Sequence, residues 1–327
     1  MPINRNIGGY ITANPVAPTS AAASGVWTLL QQLQYVSAGL WPVNTGTFGI
    51  FALGCAPCPS TTRNKYTYSG CVVSAGSAST AVSTSGSAAG NGTTGIFALG
   101  ALSATRDKYT YSGCVVAAGG AATVASRCGS AAGNSTVGIF ALGVNACLAR
   151  TTTRNKYTYS GDVVAAGGAA TVASRQGSAA GDSTVGIFAL GLTTVAVTTR
   201  NKYTYSGDVV SAGGAATVAS YVGSAAGNST TGIFALGFTT TRVTTRDKYT
   251  YSGCAVAAGG AATAASSQGA AAGNSTTGIF ALGSTGVLVT TRNKYTYSGC
   301  VVAAGGAATV ASAYGSAASN GTTGVNM

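Results

Sequence analysis

Six tandem copies of one unit leave this chain few folds to adopt. The string Gly-Ile-Phe-Ala-Leu-Gly begins at Gly49, Gly95, Gly138, Gly186, Gly232 and Gly278, at intervals of 46, 43, 48, 46 and 46 residues. A second string, Lys-Tyr-Thr-Tyr-Ser-Gly, begins at Lys65, Lys108, Lys156, Lys202, Lys248 and Lys294. A small-residue string close to Gly-Ser-Ala-Ala-Gly-Asn ends each unit. A fixed period of this length marks a propeller, a solenoid or an array. From the repeat arginine (Arg63, Arg106, Arg154, Arg200, Arg246) to the next anchor Phe is always 34 residues. All length variation therefore falls between the last Gly of the anchor and that Arg. The fixed span is framework, and the variable span is a loop on one face.

Within a unit the local signals are those of strands. Ile-Phe-Ala-Leu is a short apolar run bounded by Gly, as in a strand buried on both faces. Lys-Tyr-Thr-Tyr alternates, with both Tyr on one face and Lys and Thr on the other. Cys/Asp-Val-Val starts a β-branched strand, and Gly-Gly and Gly-Asn pairs punctuate the runs as turns. Gly and Thr interrupt the abundant Ala too often for a helix. Four short strands per unit is the arithmetic of a propeller blade. The expected fold is all-β, a six-bladed β-propeller; a β-solenoid and a trimeric fibre shaft are the alternatives. Gly, Ala and Ser suit crowded inner strands, and six Phe, six Leu and twelve Tyr form the expected core. The repeats open on the apolar strand at Gly49 and close on Gly315-Ser316-Ala317-Ala318-Ser319-Asn320. The last strand is thus expected to complete the first blade and cover its edge. The order of Tyr-Thr-Tyr, β-branched strand, small-residue strand and apolar strand resembles a degenerate kelch repeat, although one Gly follows Leu where kelch has two and the blade Trp is absent.

Residues 1–48 differ from the rest. Pro2 to Gly25 reads as an extended arm, and Val26 to Val36 as a short amphipathic helix with Trp27, Leu30 and Leu33 near one face, ended by Gly39 and Pro42. With Trp41 these are the candidate docking residues of an N-terminal arm; the other reading is a cap on the propeller of residues 49–327. Ile11-Thr12-Ala13-Asn14-Pro15-Val16-Ala17-Pro18-Thr19, Ser24-Gly25-Val26-Trp27-Thr28-Leu29 and Ala38-Gly39-Leu40-Trp41-Pro42 resemble the start of virion structural proteins of tailed phages, particularly those infecting cyanobacteria. Such proteins often join this arm to repeats containing Gly-Ile-Phe-Ala-Leu-Gly and Lys-Tyr-Thr-Tyr. The resemblance covers nearly the whole chain. It implies a component of the virus particle, made in the host cytoplasm, in the tail or tail fibre, with other virion proteins as partners and a homo-oligomeric state within the particle.

The chemistry available is narrow. There is no His and no Glu, and the five Asp occupy repeat positions that other copies fill with Asn or Cys. General acid–base catalysis and the common catalytic zinc sets need those missing residues, so no enzyme, cofactor or metal site is expected. Cys55-Ala56-Pro57-Cys58 lacks the second pair of a zinc ribbon. Cys71, Cys114, Cys254 and Cys300 share a slot with Asp162 and Asp208, as expected of a turn or strand end; the cysteines read as free thiols. Five Asn-Gly/Ser-Thr triplets fall on a repeat turn, where Asn suits the backbone. No run of apolar residues is long enough to span a membrane.

Twelve of the 17 basic residues are repeat pairs: Arg63 and Lys65, Arg106 and Lys108, Arg154 and Lys156, Arg200 and Lys202, Arg246 and Lys248, Arg292 and Lys294. Alternation puts each pair on one strand face, and sixfold repetition makes a basic ring. The favoured reading is a solvated face; the sharper one is attraction to an anionic partner such as lipopolysaccharide or another virion protein, without specific nucleic-acid recognition. Two functions follow: a structural virion protein docking by its arm, and a lectin-like propeller reading host surface glycans with one pocket per blade, built from equivalent Tyr, Thr and Asn groups.

Overall fold

The computed structural model describes residues 30, 31, 34, 47–55, 58–321 and 325–326. By its contacts the chain divides into Met1–Asn44 and Thr45–Met327. In the first unit Leu30, Gln31 and Gln34 are helical and Leu30 is exposed; Trp27, Leu33 and Trp41 lie outside the described residues. The second unit is a six-bladed β-propeller: six antiparallel sheets of four or five strands arranged in a ring.

Blade 2 shows the plan. From the axis outward its strands are Ser87–Gly90, Thr94–Ala98, Arg106–Thr110 and Val115–Ala118. The innermost strand is Ser-Ala-Ala-Gly, fully buried, because each innermost strand packs against its two equivalents around the axis. Nothing larger fits there. A Cβ on Gly186 of the second strand, for instance, would lie 2.9 Å from the Tyr205 hydroxyl and 3.2 Å from Ala132 of the neighbouring blade. The second strand is buried on both faces. Its Ile packs toward the following blade and its Phe toward the preceding one, where Ile50 meets Phe97, Tyr109 and Tyr111 and Phe51 meets Ile279. The six anchor Phe, six Leu and twelve repeat Tyr are all buried. The fourth strand is the outer edge and leaves its first Val exposed.

The ring closes as the repeat order requires. Ser316–Ser319 pairs antiparallel with Phe48–Ala52, Ile50 opposite Ala318, and becomes the innermost strand of blade 1, followed by Arg63–Thr67 and Val72–Gly76. Side chains lock the seam. Asn320 Oδ1 accepts hydrogen bonds from the amides of Thr47 (2.8 Å) and Phe48 (3.0 Å), and the Tyr68 hydroxyl donates to Ser319 Oγ at 3.0 Å. Beyond the seam, Val325–Asn326 pairs with Ala179 and Ala180 of blade 4, its backbone lying among the innermost strands.

The turns follow from their residues. Asn91 Oδ1 accepts from the amides of Thr93 (2.9 Å) and Thr94 (2.8 Å), and Asp182 does the same for Thr184 and Val185. This is the Asx geometry that favours Asn and Asp at the position, and it accounts for the Asn-x-Thr triplets. Among the described residues no helix is long and apolar enough to cross a membrane.

A chain ending at Tyr314 lacks the strand that covers Phe48–Ala52. It is expected to expose that edge, melt earlier and self-associate, which sedimentation velocity and thermal denaturation would show. A truncated chain with the size and melting temperature of the full-length one would contradict the seam.

Candidate functional site

The predicted basic ring comes apart in the structure. Lys and Arg do share a strand face, and the tyrosines do point the other way. At the arginines, however, that face meets the next blade and not solvent. All six repeat arginines, Arg63, Arg106, Arg154, Arg200, Arg246 and Arg292, are about 1 % exposed. Each guanidinium lies over the anchor Phe of the following blade, 4.5 Å from the ring centroid for Arg106 on Phe140 and 4.7 Å for Arg63 on Phe97. A Tyr of that blade stands 5.8–5.9 Å away. The guanidinium also donates to the residue after the next blade's arginine: to Asp107 and Asp247 at 2.7 Å, and to Asn155, Asn201, Asn293 and Asn64 at 3.0–3.1 Å. The last of these, from Arg292 to Asn64, carries the chain of contacts across the seam.

Asn and Asp interchange here because a threonine hydroxyl both gives and takes hydrogen bonds. The Asn201 amide donates to Thr171 Oγ1 at 2.8 Å, whereas the Thr217 hydroxyl donates to Asp247 Oδ1 at 2.6 Å. The difference matters for charge. Burial pushes Arg106, Arg154, Arg246 and Arg292, which have no carboxylate partner, down to about 10. Four buried cations are thus held by aromatic faces and amide oxygens, and all but Arg292 also by a backbone carbonyl.

The repeat lysines lie nearer solvent but are engaged in part. Lys108 pairs with Asp162 (2.9 Å) and Lys156 with Asp208 (3.0 Å) of the following blade, and Lys65 approaches Cys114 Sγ at 4.0 Å. The shared Cys/Asp slot is a turn with left-handed backbone, φ 55° at Cys71 and Asp162. Partial burial opposes ionisation of Asp162, but hydrogen bonds from Tyr157 and Lys108 outweigh it and hold the carboxyl below its ordinary range. Cys58, Cys71, Cys114, Cys128, Cys147, Cys254 and Cys300 are free thiols. The twelve repeat tyrosines are buried, and the clefts between blades narrow to about the size of a water molecule. The repeated Tyr therefore present no exposed ring to a sugar.

A different site emerges at the channel mouth where the innermost strands begin. There Ser85, Cys128, Gln176, Val222, Gln268 and Tyr314 all take left-handed backbone, φ 49–60°. The amide of each donates to the carbonyl of its equivalent in the preceding blade at 2.8–2.9 Å, from Cys128 to Ser85 and on round to Ser85 donating to Tyr314. Six backbone hydrogen bonds thus form a closed belt, and the six side chains on it are of five kinds. Beside the belt the variable loops are not featureless. In blade 3 Arg127 pairs with Val144, which pairs with Arg150. In blade 4 the corresponding set is Arg175, Leu192 and Ala196. In blade 5 it is Tyr221, Phe238 and Arg242, and the two rings of this set stand 5.4 Å apart. Blade 6 places Ser267, Ser284 and Leu288 there, and blade 1 Ala313, Cys55 and Pro59.

One backbone ribbon therefore recurs with different side chains at one end of the molecule. The sequence shows the varying loops but hides the belt, because its residues lie inside the span of constant length. The signal was there in the two residues before each Gly-Ser-Ala-Ala string: Thr-Ser, Arg-Cys, Arg-Gln, Tyr-Val, Ser-Gln and Ala-Tyr.

No family model and no curated protein matches the chain. Among solved structures it is similar to one described as "Structure of YjhT", with a TM-score of 0.59 and 9% sequence identity over 76% of this chain and 94% of that one. At that identity the likeness shows the propeller fold alone.

Two outcomes test the interior. Asn201→Asp gives Arg154 a carboxylate, and Thr171 has only to turn its hydroxyl; it is expected to raise stability, while Asp247→Asn lowers it by about 1–3 kcal/mol. Chemical denaturation with the signs reversed would refute this. The second outcome concerns alkali. Burial raises all twelve repeat tyrosines, Tyr295 to about 12 and the deep Tyr159 and Tyr205 further. A folded-state value above the unfolded one, about 10, gives stability that is complete below that pH and lost above it. The six arginines, all lowered, act with the opposite sign but are half as many. Stability should fall above about pH 10, and the tyrosinate absorbance of the twelve repeat tyrosines, of sixteen in the chain, should rise only as the β signal disappears. Repeat tyrosines titrating freely in folded protein would contradict it.

Proposed function

We propose that this chain is a non-enzymatic recognition component of a tailed-phage particle, attached through residues 1–48 and presenting the belt end of its propeller outward. The observation that carries the recognition half is the confinement of side-chain variety to one face. A scaffold under only packing constraints has no reason to keep 34-residue spans constant while giving five of its six blades a different triplet at one mouth. Binding sites sit on loops carried by a rigid framework, and here the framework repeats so that the loops can differ.

The absence of catalysis in this reading is supported by the use made of each carboxylate. Asp107 and Asp247 are buried in ion pairs, Asp162 and Asp208 bridge Lys and Tyr, and Asp182 holds a turn. The attachment half rests on the likeness of residues 11–42 to phage virion arms. The fold by itself decides neither half.

Phage carrying a chain without residues 1–25 test the attachment. Particles are expected to assemble without the protein, as mass spectrometry of purified particles would show, and to adsorb poorly to host cells. Truncated chain present at normal copy number would overturn the docking role of the arm.

A further inference from the structure

The five basic residues outside the repeat pairs are Arg5, Arg127, Arg150, Arg175 and Arg242. The last four all lie on the belt end, on three consecutive blades. Their state is the reverse of that of the repeat arginines. The guanidinium groups of Arg127, Arg150 and Arg175 have no hydrogen-bond or ion-pair partner among the described residues, whereas each repeat arginine donates through a terminal nitrogen; the buried Nε is unpaired in both sets. Arg242 has one contact, to Ser284 Oγ at 3.3 Å. Arg127 and Arg150 flank the buried Val144 on neighbouring strands. Arg127 precedes Cys128, and Gln176, next to Arg175, donates its amide to the Cys128 carbonyl at 2.8 Å. These arginines therefore stand at adjacent belt positions of two blades.

Among the described residues no side-chain carboxylate answers them. Asp107 and Asp247 are fully buried and paired. Asp162, Asp182 and Asp208 lie in turns at the other end of the blades, after the third strand or between the first and second. Next along the arc is an aromatic surface, the half-buried pair Tyr221 and Phe238 with Arg242 beside it. Tyr314 stands within electrostatic reach of Tyr221 and Arg242 and accepts a hydrogen bond from the Gln268 amide at 2.6 Å.

We propose that the belt end of blades 3 to 5 binds an acidic saccharide, a sugar chain bearing carboxylate or sulfate groups. Free guanidinium forks match such groups bidentately, and aromatic faces with amide and hydroxyl groups beside them suit sugar rings. The chemistry is local. Four arginines on one arc fit a short segment, whereas a nucleic-acid groove commonly neutralises six to ten phosphates. This inference rests on the recognition role proposed above and names its ligand class and place.

Affinity measurements on the full chain, with acidic polysaccharides and their carboxyl-reduced or desulfated counterparts as probes, test it. Wild-type chain is expected to bind the acidic form and to bind the neutral form at least roughly tenfold more weakly. The triple variant Arg127→Gln, Arg150→Gln, Arg175→Gln should lose binding. Lys202→Gln, Lys248→Gln, Lys294→Gln, an equal loss of charge elsewhere, should keep it. Single Arg175→Gln, expected to keep the wild-type melting temperature, guards against misfolding and should weaken binding by roughly tenfold. Undiminished binding by the triple variant, no binding to any acidic saccharide, or tighter binding to single-stranded DNA would each overturn the inference. Adsorption of phage carrying the triple variant separates the two readings. If it falls although no acidic saccharide binds, the ligand class is wrong and recognition by this face stands. If it is unchanged, the face is not the recognition surface.

Discussion

A guanidinium stacked on the next blade's phenylalanine is the contact on which the rest of this propeller depends. Adjacent blades share no backbone ladder between their sheets; away from the backbone belt, their cohesion rests on side chains. At every interface the same set meets: Ile and Arg from one blade, Phe and two Tyr from the next. Arginine suits the place because its stem fills apolar space and its planar head both stacks and forks. The cost is a buried charge, met by a carboxylate at two interfaces and by an amide at four. A threonine that can turn its hydroxyl makes both solutions fit one backbone.

This arrangement divides the molecule into what can vary and what cannot. The interface set, the small inner strands and the Asx turns each touch a neighbouring blade, so a change in one copy is felt by two. At the belt end the ring is closed by a full circle of backbone hydrogen bonds. Backbone hydrogen bonds are indifferent to side-chain identity, which lets Ser, Cys, Gln, Val and Tyr occupy one left-handed position. The energetic cost of that backbone at non-Gly residues falls at positions where Ser85, Cys128 and Val222 are buried and Gln176, Gln268 and Tyr314 half-buried. Latitude in side-chain identity thus gathers at one end of the molecule, and that gives the recognition reading its physical basis.

Much of this was legible in the residues. The constant spacing, the Gly-bounded Ile-Phe-Ala-Leu run and the Ser-Ala-Ala-Gly string specify four strands, their order and the seam at Ser316–Ser319. The fate of Arg63 and its equivalents was not. In a sheet with one wet face, Arg-Asn-Lys-Tyr reads as half exposed; in a propeller both faces are covered, and alternation says which face a side chain takes without saying what covers it. The Asn or Asp after every repeat Arg was the available clue, a polar neighbour in each copy for a cation that needed one. The candidate site was hidden for another reason. Its residues differ from copy to copy, so a search for repeated features passes over them, and the pairing of Arg127 with Val144 and Arg150 appears only in three dimensions.

The most direct test is a double-mutant cycle between Arg292 and Phe51, which lie at opposite ends of the repeat array and meet across the seam at 4.6 Å. Ring closure and the stacked guanidinium together predict a coupling energy of about 1–2 kcal/mol between Arg292→Met and Phe51→Leu in unfolding experiments. Strictly additive effects would mean that the two side chains do not touch, and would contradict both.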